Sequence, residues 1–184
     1  MEIRTLEPGD ESAARAALEA LGQSSDGPPF FLQWDGTSDF GEYCRRLTAW
    51  SRGEDLPEHF VRSTFLVGFV KGQLVSRVSI RHELNDRLRD FGGHIGYHTV
   101  PGHEGKGYAS ALFRHALTFC YSLGISEAMV TCHPENHASR HIIESASGRF
   151  EKDHFSEIFE TSIRVYWVPT SGGAFLADEA NEGI

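Results

Sequence analysis

The chain has 184 residues, 40% of them hydrophobic, and its 17 lysines and arginines against 26 aspartates and glutamates give a formal net charge of -9. This length favours one domain with a substantial core. The excess of acidic over basic residues argues against a nucleic-acid partner, because non-specific binding of nucleic acid needs a basic face.

Three features predict a cytoplasmic protein without a membrane partner. No apolar run approaches the ~18 residues that a membrane span needs. The first six residues lack the charged and apolar regions of a signal peptide. Cys44, Cys120 and Cys132 are odd in number, widely spaced and without a Cys-x-x-Cys pair, so we expect reduced thiols.

Hydrophobic periodicity predicts eleven elements in the order β-α-α-β-β-β-α-β-α-β-β. Ser38 or Asp39 can begin the second helix, and Gly124 ends the third. Lys71-Gly72 joins two strands as a hairpin, and residues 84–92 form a loop or one helical turn. The predicted elements span 1–6, 10–21, 38–51, 64–71, 73–81, 94–100, 108–123, 125–132, 133–144, 150–159 and 163–168.

The stretch from Gly92 to Phe113 carries the strongest functional signal. It predicts a strand, a glycine-rich turn and a helix, with Gly105 and Gly107 where the turn becomes the helix. The first four N–H groups of a helix lack internal partners, and the helix dipole makes that end partly positive. Because glycines leave these groups exposed, the segment is suited to bind a pyrophosphate.

Two common phosphate motifs fit this loop poorly. A P-loop requires Ser or Thr after Gly-Lys, whereas Gly107 follows Lys106, and the spacing from Gly102 is too short. A dinucleotide fingerprint requires a third glycine where Ser110 stands, and this helix comes late in the chain. An ordinary glycine-rich connection between a strand and a helix stays open as an alternative.

A third pattern, Arg/Gln-x-x-Gly-x-Gly/Ala, resembles the loop better; it is the coenzyme A pyrophosphate loop of the GNAT N-acetyltransferases. Gly107 and Ala109 fill its last two places, and Val100-Pro101 precede it as they commonly do in that family. Glu104 departs from the pattern, since Arg or Gln is usual there. The chain also resembles one GNAT branch of predicted acetyltransferases through five separated segments: 80–85, 92–97, 105–109, 130–132 and 136–139.

The resemblance implies the fold and the domain organisation. It implies an α/β (α+β) GNAT fold, with flanking helices and a central mixed, mostly antiparallel sheet whose central strands splay apart. The splayed strands would be 94–100 and 128–132, with acetyl-CoA wedged between them. We expect a single GNAT acetyltransferase domain over 1–169 and a flexible acidic tail over 170–184.

The resemblance also implies the residues of a donor site. The pyrophosphate would lie against N–H groups of the glycine-rich loop, and the pantetheine arm along the splayed strands. Asn136 can equally serve as a helix N-cap. The expected coenzyme A ligands are Val100, Gly105, Lys106, Gly107, Tyr108, Ala109, Asn136 and Ser139.

The family's activity implies transfer of an acetyl group from acetyl-CoA to a primary amine by direct attack. The acceptor would be a small-molecule or peptide amine, and the protein a monomer or homodimer; its acidity mildly favours a cationic acceptor. Glu83 with His82 is the expected catalytic base, and His94 and His98 are the alternatives. A non-catalytic acyl-CoA-binding sensor, a degenerate partner subunit and a different acyl donor stay open.

The general acid is harder to assign. In many GNAT enzymes a tyrosine protonates the leaving thiolate, and alignment around Asn136 puts Ile143 in its place. Because an alkyl side chain has no proton to donate, either the thiolate leaves unassisted, or Ser139, His141 or a water replaces the tyrosine, or the protein is no catalyst.

Metal and cysteine chemistry are disfavoured. His133, His137 and His141 recur every four residues, which suggests one helix face. Pro134 makes the helix begin after His133, and two histidines are an incomplete zinc site, so we expect no metal. Cys132 is better explained as a buried strand residue than as a nucleophile, which would need a base and an oxyanion hole.

Overall fold

The computed structural model describes residues 1–22 and 29–171, so the predicted tail lies outside the described residues from position 172 onward. The described chain follows the predicted order, with the short helix Asp86–Asp90 where a loop or one helical turn was expected and a further 3-10 turn at Pro8–Asp10. Its elements are β1 (Glu2–Arg4), α1 (Glu11–Leu21), α2 (Phe40–Arg52), β2 (Ser63–Val70), β3 (Gln73–Arg81), α3 (Asp86–Asp90), β4 (Ile95–Thr99), α4 (Tyr108–Ser122), β5 (Glu127–Cys132), α5 (His137–Ser145), β6 (Arg149–Ser156) and β7 (Thr161–Pro169).

The elements divide between two compact units. Unit 1 comprises Met1–Glu83 and Tyr97–Leu112, and unit 2 comprises Leu84–Gly96 and the chain from Phe113 onward. The strands form a four-stranded sheet in the order β1-β2-β3-β4 and a three-stranded sheet in the order β5-β7-β6. Two strands that the sequence analysis expected to be splayed neighbours, β4 and β5, therefore belong to different sheets.

Unit 1 is built on the β2–β3 hairpin. β2 pairs antiparallel with both β1 and β3. Lys71 and Gly72 connect the hairpin with φ values of 50° and 78°, and two adjacent positive φ values suit a tight turn that matches the twist of the strands. Nearly every residue of β2 and β3 is buried, so both faces of this hairpin are covered.

Helices α1 and α2 cover the hairpin with an aromatic core. Asp39, one of the two predicted caps, is the N-cap of α2: its carboxylate accepts the N–H of Glu42 at 2.6 Å. Trp34 stacks on Tyr43 with ring centroids 5.8 Å apart. The buried aromatic side chains of this core are Phe30, Phe31, Trp34, Phe40, Tyr43, Trp50, Phe65 and Phe69.

Unit 2 is built on the antiparallel sheet of β5, β7 and β6. β5 and β7 carry the apolar residues Met129, Ile163 and Val165, which pack together. β6 is largely exposed, and Glu151 forms a bulge in its pairing with β7. Within this sheet the buried side chains therefore lie mainly on β5 and β7. α4 and α5 add further buried side chains to the unit, among them Phe113, Leu117 and Ile143. Across residues 1–22 and 29–171, no helix has both the length and the apolar character needed to cross a membrane.

Candidate functional site

The 101–107 loop of unit 1 connects β4 to α4 and contains the predicted glycine turn. Gly102, Gly105 and Gly107 have φ values of 83°, 70° and 78°. Side chains are strained at such positive φ values, whereas glycine adopts them readily. A Cβ atom added at any of the three would meet nothing within 4 Å, so open space surrounds the backbone. A ligand can therefore approach the loop closely.

The N–H groups at the start of α4 are available to such a ligand. Ala111 N donates to Gly107 O at 3.0 Å and makes the first helical hydrogen bond. In the part of the chain that the structure describes, no acceptor bonds the N–H groups of Lys106, Gly107 or Tyr108. Unpaired N–H groups at the positive end of a 15-residue helix form a cradle for an anion.

Two charged side chains of the loop point back to its own backbone. Glu104 Oε2 accepts the N–H of Gly102 at 2.7 Å, and Lys106 Nζ donates to Gly102 O at 2.8 Å. The sequence alone left the direction of both side chains open. The residue at the unusual position of the motif, although exposed, therefore hydrogen-bonds the backbone of its own loop.

Both backbone groups of Val100 already make hydrogen bonds within unit 1. Its N–H donates to Val75 O on β3 at 2.9 Å, and its carbonyl oxygen accepts the N–H of His103 at 3.1 Å. Only the second lone pair of that carbonyl is left, so Val100 can accept one hydrogen bond from a ligand but cannot donate one.

Asn136 and Ser139, which lie in unit 2, form a helix cap. Asn136 Oδ1 accepts the N–H of Ser139 at 3.0 Å, at the N-cap position of α5. Asn136 is exposed. The capping role considered for Asn136 is thus present, and coenzyme A binding by these two residues stays a prediction.

Glu83 and His82, the predicted catalytic pair, directly follow β3 in unit 1. Glu83 is exposed, and His82 Nε2 lies 2.9 Å from Thr64 Oγ1. Burial lowers the pKa of His82, and the nearby Arg62 lowers it further. His82 is therefore neutral at physiological pH, which is the state that can accept a proton.

The two alternative bases have different surroundings. His98 packs against Phe30 in unit 1 with ring centroids 5.5 Å apart, and burial together with Arg77 lowers its pKa. His94 in unit 2 is buried, and its ring bonds the backbone of β5: Met129 N donates to His94 Nδ1 at 2.9 Å, and His94 N donates to Met129 O at 2.7 Å. His94 therefore has a structural role that sequence reasoning missed.

Two other predicted features fall in unit 2. Cys132 is buried, and burial raises the pKa of its thiol to about 11, which keeps it protonated and poorly nucleophilic. Ile143 is fully buried, and its side chain packs against Gly148. A tyrosine at position 143 would overpack this site.

No group of three His, Cys, Asp or Glu side chains suited to a metal ion occurs in residues 1–22 and 29–171.

Sequence and structure both resemble acetyltransferases. A family model described as an acetyltransferase (GNAT) domain matches residues 10–148. RimJ from Mycobacterium smegmatis, solved in complex with CoA-disulfide, is 20% identical over 98% of this chain and 84% of its own, with a TM-score of 0.68. Spermidine N-acetyltransferase SpeG from Vibrio cholerae is 17% identical in sequence. The match covers 97% of this chain and 99% of SpeG, with a TM-score of 0.60.

A third structure, yncA from Salmonella typhimurium with acetyl-CoA, is 14% identical over 94% of this chain and 95% of its own, with a TM-score of 0.59. Identities this low show a shared fold and leave function to be argued from the site. No curated protein sequence matches the chain significantly.

Proposed function

Since the chain belongs to the GNAT acetyltransferase family and has the predicted GNAT fold, we propose that it transfers an acetyl group from acetyl-CoA to a primary amine of a small molecule or peptide. The observation that carries the proposal is the open backbone of the 101–107 loop together with the unbonded N–H groups of Lys106, Gly107 and Tyr108. When bound, acetyl-CoA supplies a thioester carbonyl, to which the amine nitrogen bonds as the carbon–sulfur bond breaks.

The residues present fit this donor. The N–H groups of residues 105–109 would hold the pyrophosphate, and the carbonyl of Val100 would accept a hydrogen bond from an amide of the pantetheine arm. The proposal that Asn136 and Ser139 also bind coenzyme A rests on the family resemblance. RimJ and yncA were each solved with coenzyme A or a derivative of it, which favours the same class of ligand. We further propose that residues 1–169 act as one domain, since the family match includes parts of both units.

Glu83 and His82 are the proposed proton acceptors. An alkylammonium ion has no lone pair, so the acceptor must lose a proton before it can attack. The exposed carboxylate of Glu83 can hold a cationic amine and then take up its proton, directly or through water. The neutral imidazole of His82 is a second group that can accept this proton. The acidic net charge of -9 and the likeness to a spermidine acetyltransferase both favour a cationic acceptor.

No tyrosine stands at position 143, where many GNAT enzymes have the residue that protonates the leaving thiolate. Ile143 is apolar and buried, so it cannot donate a proton. Thiols have an ordinary pKa of about 8.5, so a thiolate leaves tolerably well near neutrality. General acid catalysis by a side chain typically raises the rate about 10²–10⁴-fold. We therefore expect a slow acetyltransferase whose rate does not fall at alkaline pH through ionisation of a tyrosine.

The proposal is tested by following thiol release from acetyl-CoA with a panel of amines that includes spermidine and peptides with free α-amines. Turnover with at least one amine is the expected result, and its pH–rate profile then shows whether a tyrosine acts as acid. Tight binding of coenzyme A without turnover on a broad panel would favour the acyl-CoA sensor. Absence of both would refute the acetyltransferase assignment.

Glu83→Gln tests the base. We expect a rate about 10²-fold lower with coenzyme A affinity unchanged, because the variant removes the proton acceptor and leaves the loop intact. Initial rates across the pH range and calorimetric titration with coenzyme A measure the two quantities. Glu58→Gln, which changes another exposed carboxylate of unit 1, is the control. A full rate for Glu83→Gln at every pH would remove Glu83 from the mechanism.

A further inference from the structure

Gly102 is held by the two charged side chains of its own loop. The Glu104 carboxylate accepts its N–H at 2.7 Å, and the Lys106 ammonium donates to its carbonyl oxygen at 2.8 Å. One carboxylate and one ammonium thus bind both polar backbone groups of a single residue. We call these two hydrogen bonds the Gly102 clamp.

The position of the clamp matters because Gly102 is the first of the three glycines with positive φ. Glycine has the largest conformational freedom of any residue, so a loop with three glycines loses much entropy when a ligand orders it. Hydrogen bonds that involve an ionised group are roughly twice as strong as neutral ones. The clamp can therefore order the loop before the ligand arrives and reduce the entropy lost on binding.

The clamp also changes the electrostatics of the loop. Glu104 contributes one negative charge and Lys106 one positive charge, so the two side chains together add no net charge beside the N–H groups of residues 105–109. Lys106 Nζ is already bonded to Gly102 O. Binding of a pyrophosphate at this loop then depends on backbone N–H groups and on the helix dipole.

We propose that Glu104 is a positioning residue that, together with Lys106, preforms the 101–107 loop for coenzyme A. The loop binds the pyrophosphate through backbone N–H groups instead of a charged side chain at position 104. This inference rests on the proposed function, because it assigns Glu104 a role at the donor site.

Three substitutions separate the hydrogen bond from the charge. Glu104→Gln keeps an acceptor for the Gly102 N–H and is neutral; Glu104→Ala is equally neutral and has no acceptor; Glu104→Arg adds a cation and has no acceptor. Glu19→Arg, on the exposed part of α1, changes the net charge as Glu104→Arg does and is the control. Calorimetric titration with coenzyme A at low and high salt gives affinity and its salt dependence, and hydrogen exchange without ligand reports the Gly102 N–H.

We expect Glu104→Gln to bind coenzyme A about fivefold more tightly than Glu104→Ala, the effect of one hydrogen bond. The Gly102 N–H should exchange slowly in the wild type and in Glu104→Gln, and rapidly in Glu104→Ala. Coenzyme A binding by Glu104→Arg should depend more steeply on salt than binding by the wild type or by Glu19→Arg.

Equal affinities of Glu104→Gln and Glu104→Ala would overturn the positioning role, even if Gly102 exchange differs between them. Equal exchange in all variants would show that the clamp does not form. If exchange follows the expected pattern but no form of the protein binds coenzyme A, the proposed function fails and the positioning role fails with it, while the clamp itself stands.

Discussion

Two glycine-containing segments of the 92–113 stretch differ in what surrounds their backbone. The 92–94 segment of unit 2 is closed against β5: Gly92 N donates to Thr131 Oγ1 at 2.9 Å, and a Cβ atom at Gly93 would lie 2.3 Å from Met129 O. The 101–107 loop of unit 1 is open, and a Cβ atom at Gly107 would meet nothing within 4 Å. Gly93 and Gly107 both have positive φ.

Glycine meets a different physical requirement in each of these two segments. At Gly93 the backbone of another strand leaves no room for a side chain. At Gly107 the protein leaves room that a ligand's phosphates can occupy. Substitutions in the first segment should therefore act on stability, and substitutions in the second on ligand binding.

Gly93→Ala should have the largest effect. The added methyl group would collide with the Met129 carbonyl, and the φ of 58° strains any side chain. We expect the free energy of unfolding to fall by at least about 3 kcal/mol, or folding to fail. Gly72→Ala is the matched control, with a φ of 78° and open space around it, and should cost about 1 kcal/mol. Chemical denaturation measures both, and equal losses would contradict the close-approach argument.

Gly107→Asp should leave the fold intact and abolish acetyl-CoA binding. A carboxylate in the cradle blocks close approach of the backbone and repels phosphate. We expect affinity to fall about 100-fold or more, since several hydrogen bonds to charged oxygens are lost. Circular dichroism checks the fold and calorimetry the affinity, with Gly72→Asp as the control for a carboxylate at positive φ. Unchanged affinity in a folded Gly107→Asp protein would exclude this loop as the pyrophosphate site.

Substitution of His94 should have the smallest effect of the three. His94→Leu removes the acceptor of the Met129 N–H, which is worth about 1–3 kcal/mol in the free energy of unfolding when the group is buried. His94→Asn keeps an acceptor at nearly the position of Nδ1 and should recover part of this loss. Urea denaturation and hydrogen exchange at Met129 measure the difference. If both variants lose the same stability, the ring's packing, and not its hydrogen bond, fixes this segment.

The sequence by itself determined the features that depend on residues close together in the chain. The helix and strand periods, the Asp39 cap and the Lys71-Gly72 turn all depend on neighbours within about one turn, so local physics predicts them. The glycine-rich turn before α4 was predicted for the same reason, because it depends on glycines close together in the chain and on the helix that follows them.

Only the tertiary structure decided which partners the polar side chains have. His94 and Met129 are 35 residues apart, and no local pattern reveals that an imidazole replaces a backbone acceptor between them. The direction of Glu104 was equally hidden, because a carboxylate two residues from Gly102 can face solvent or fold back onto the loop. Whether another strand crowds a glycine, as at Gly93, or open space surrounds it, as at Gly107, depends on what lies beside it in the fold.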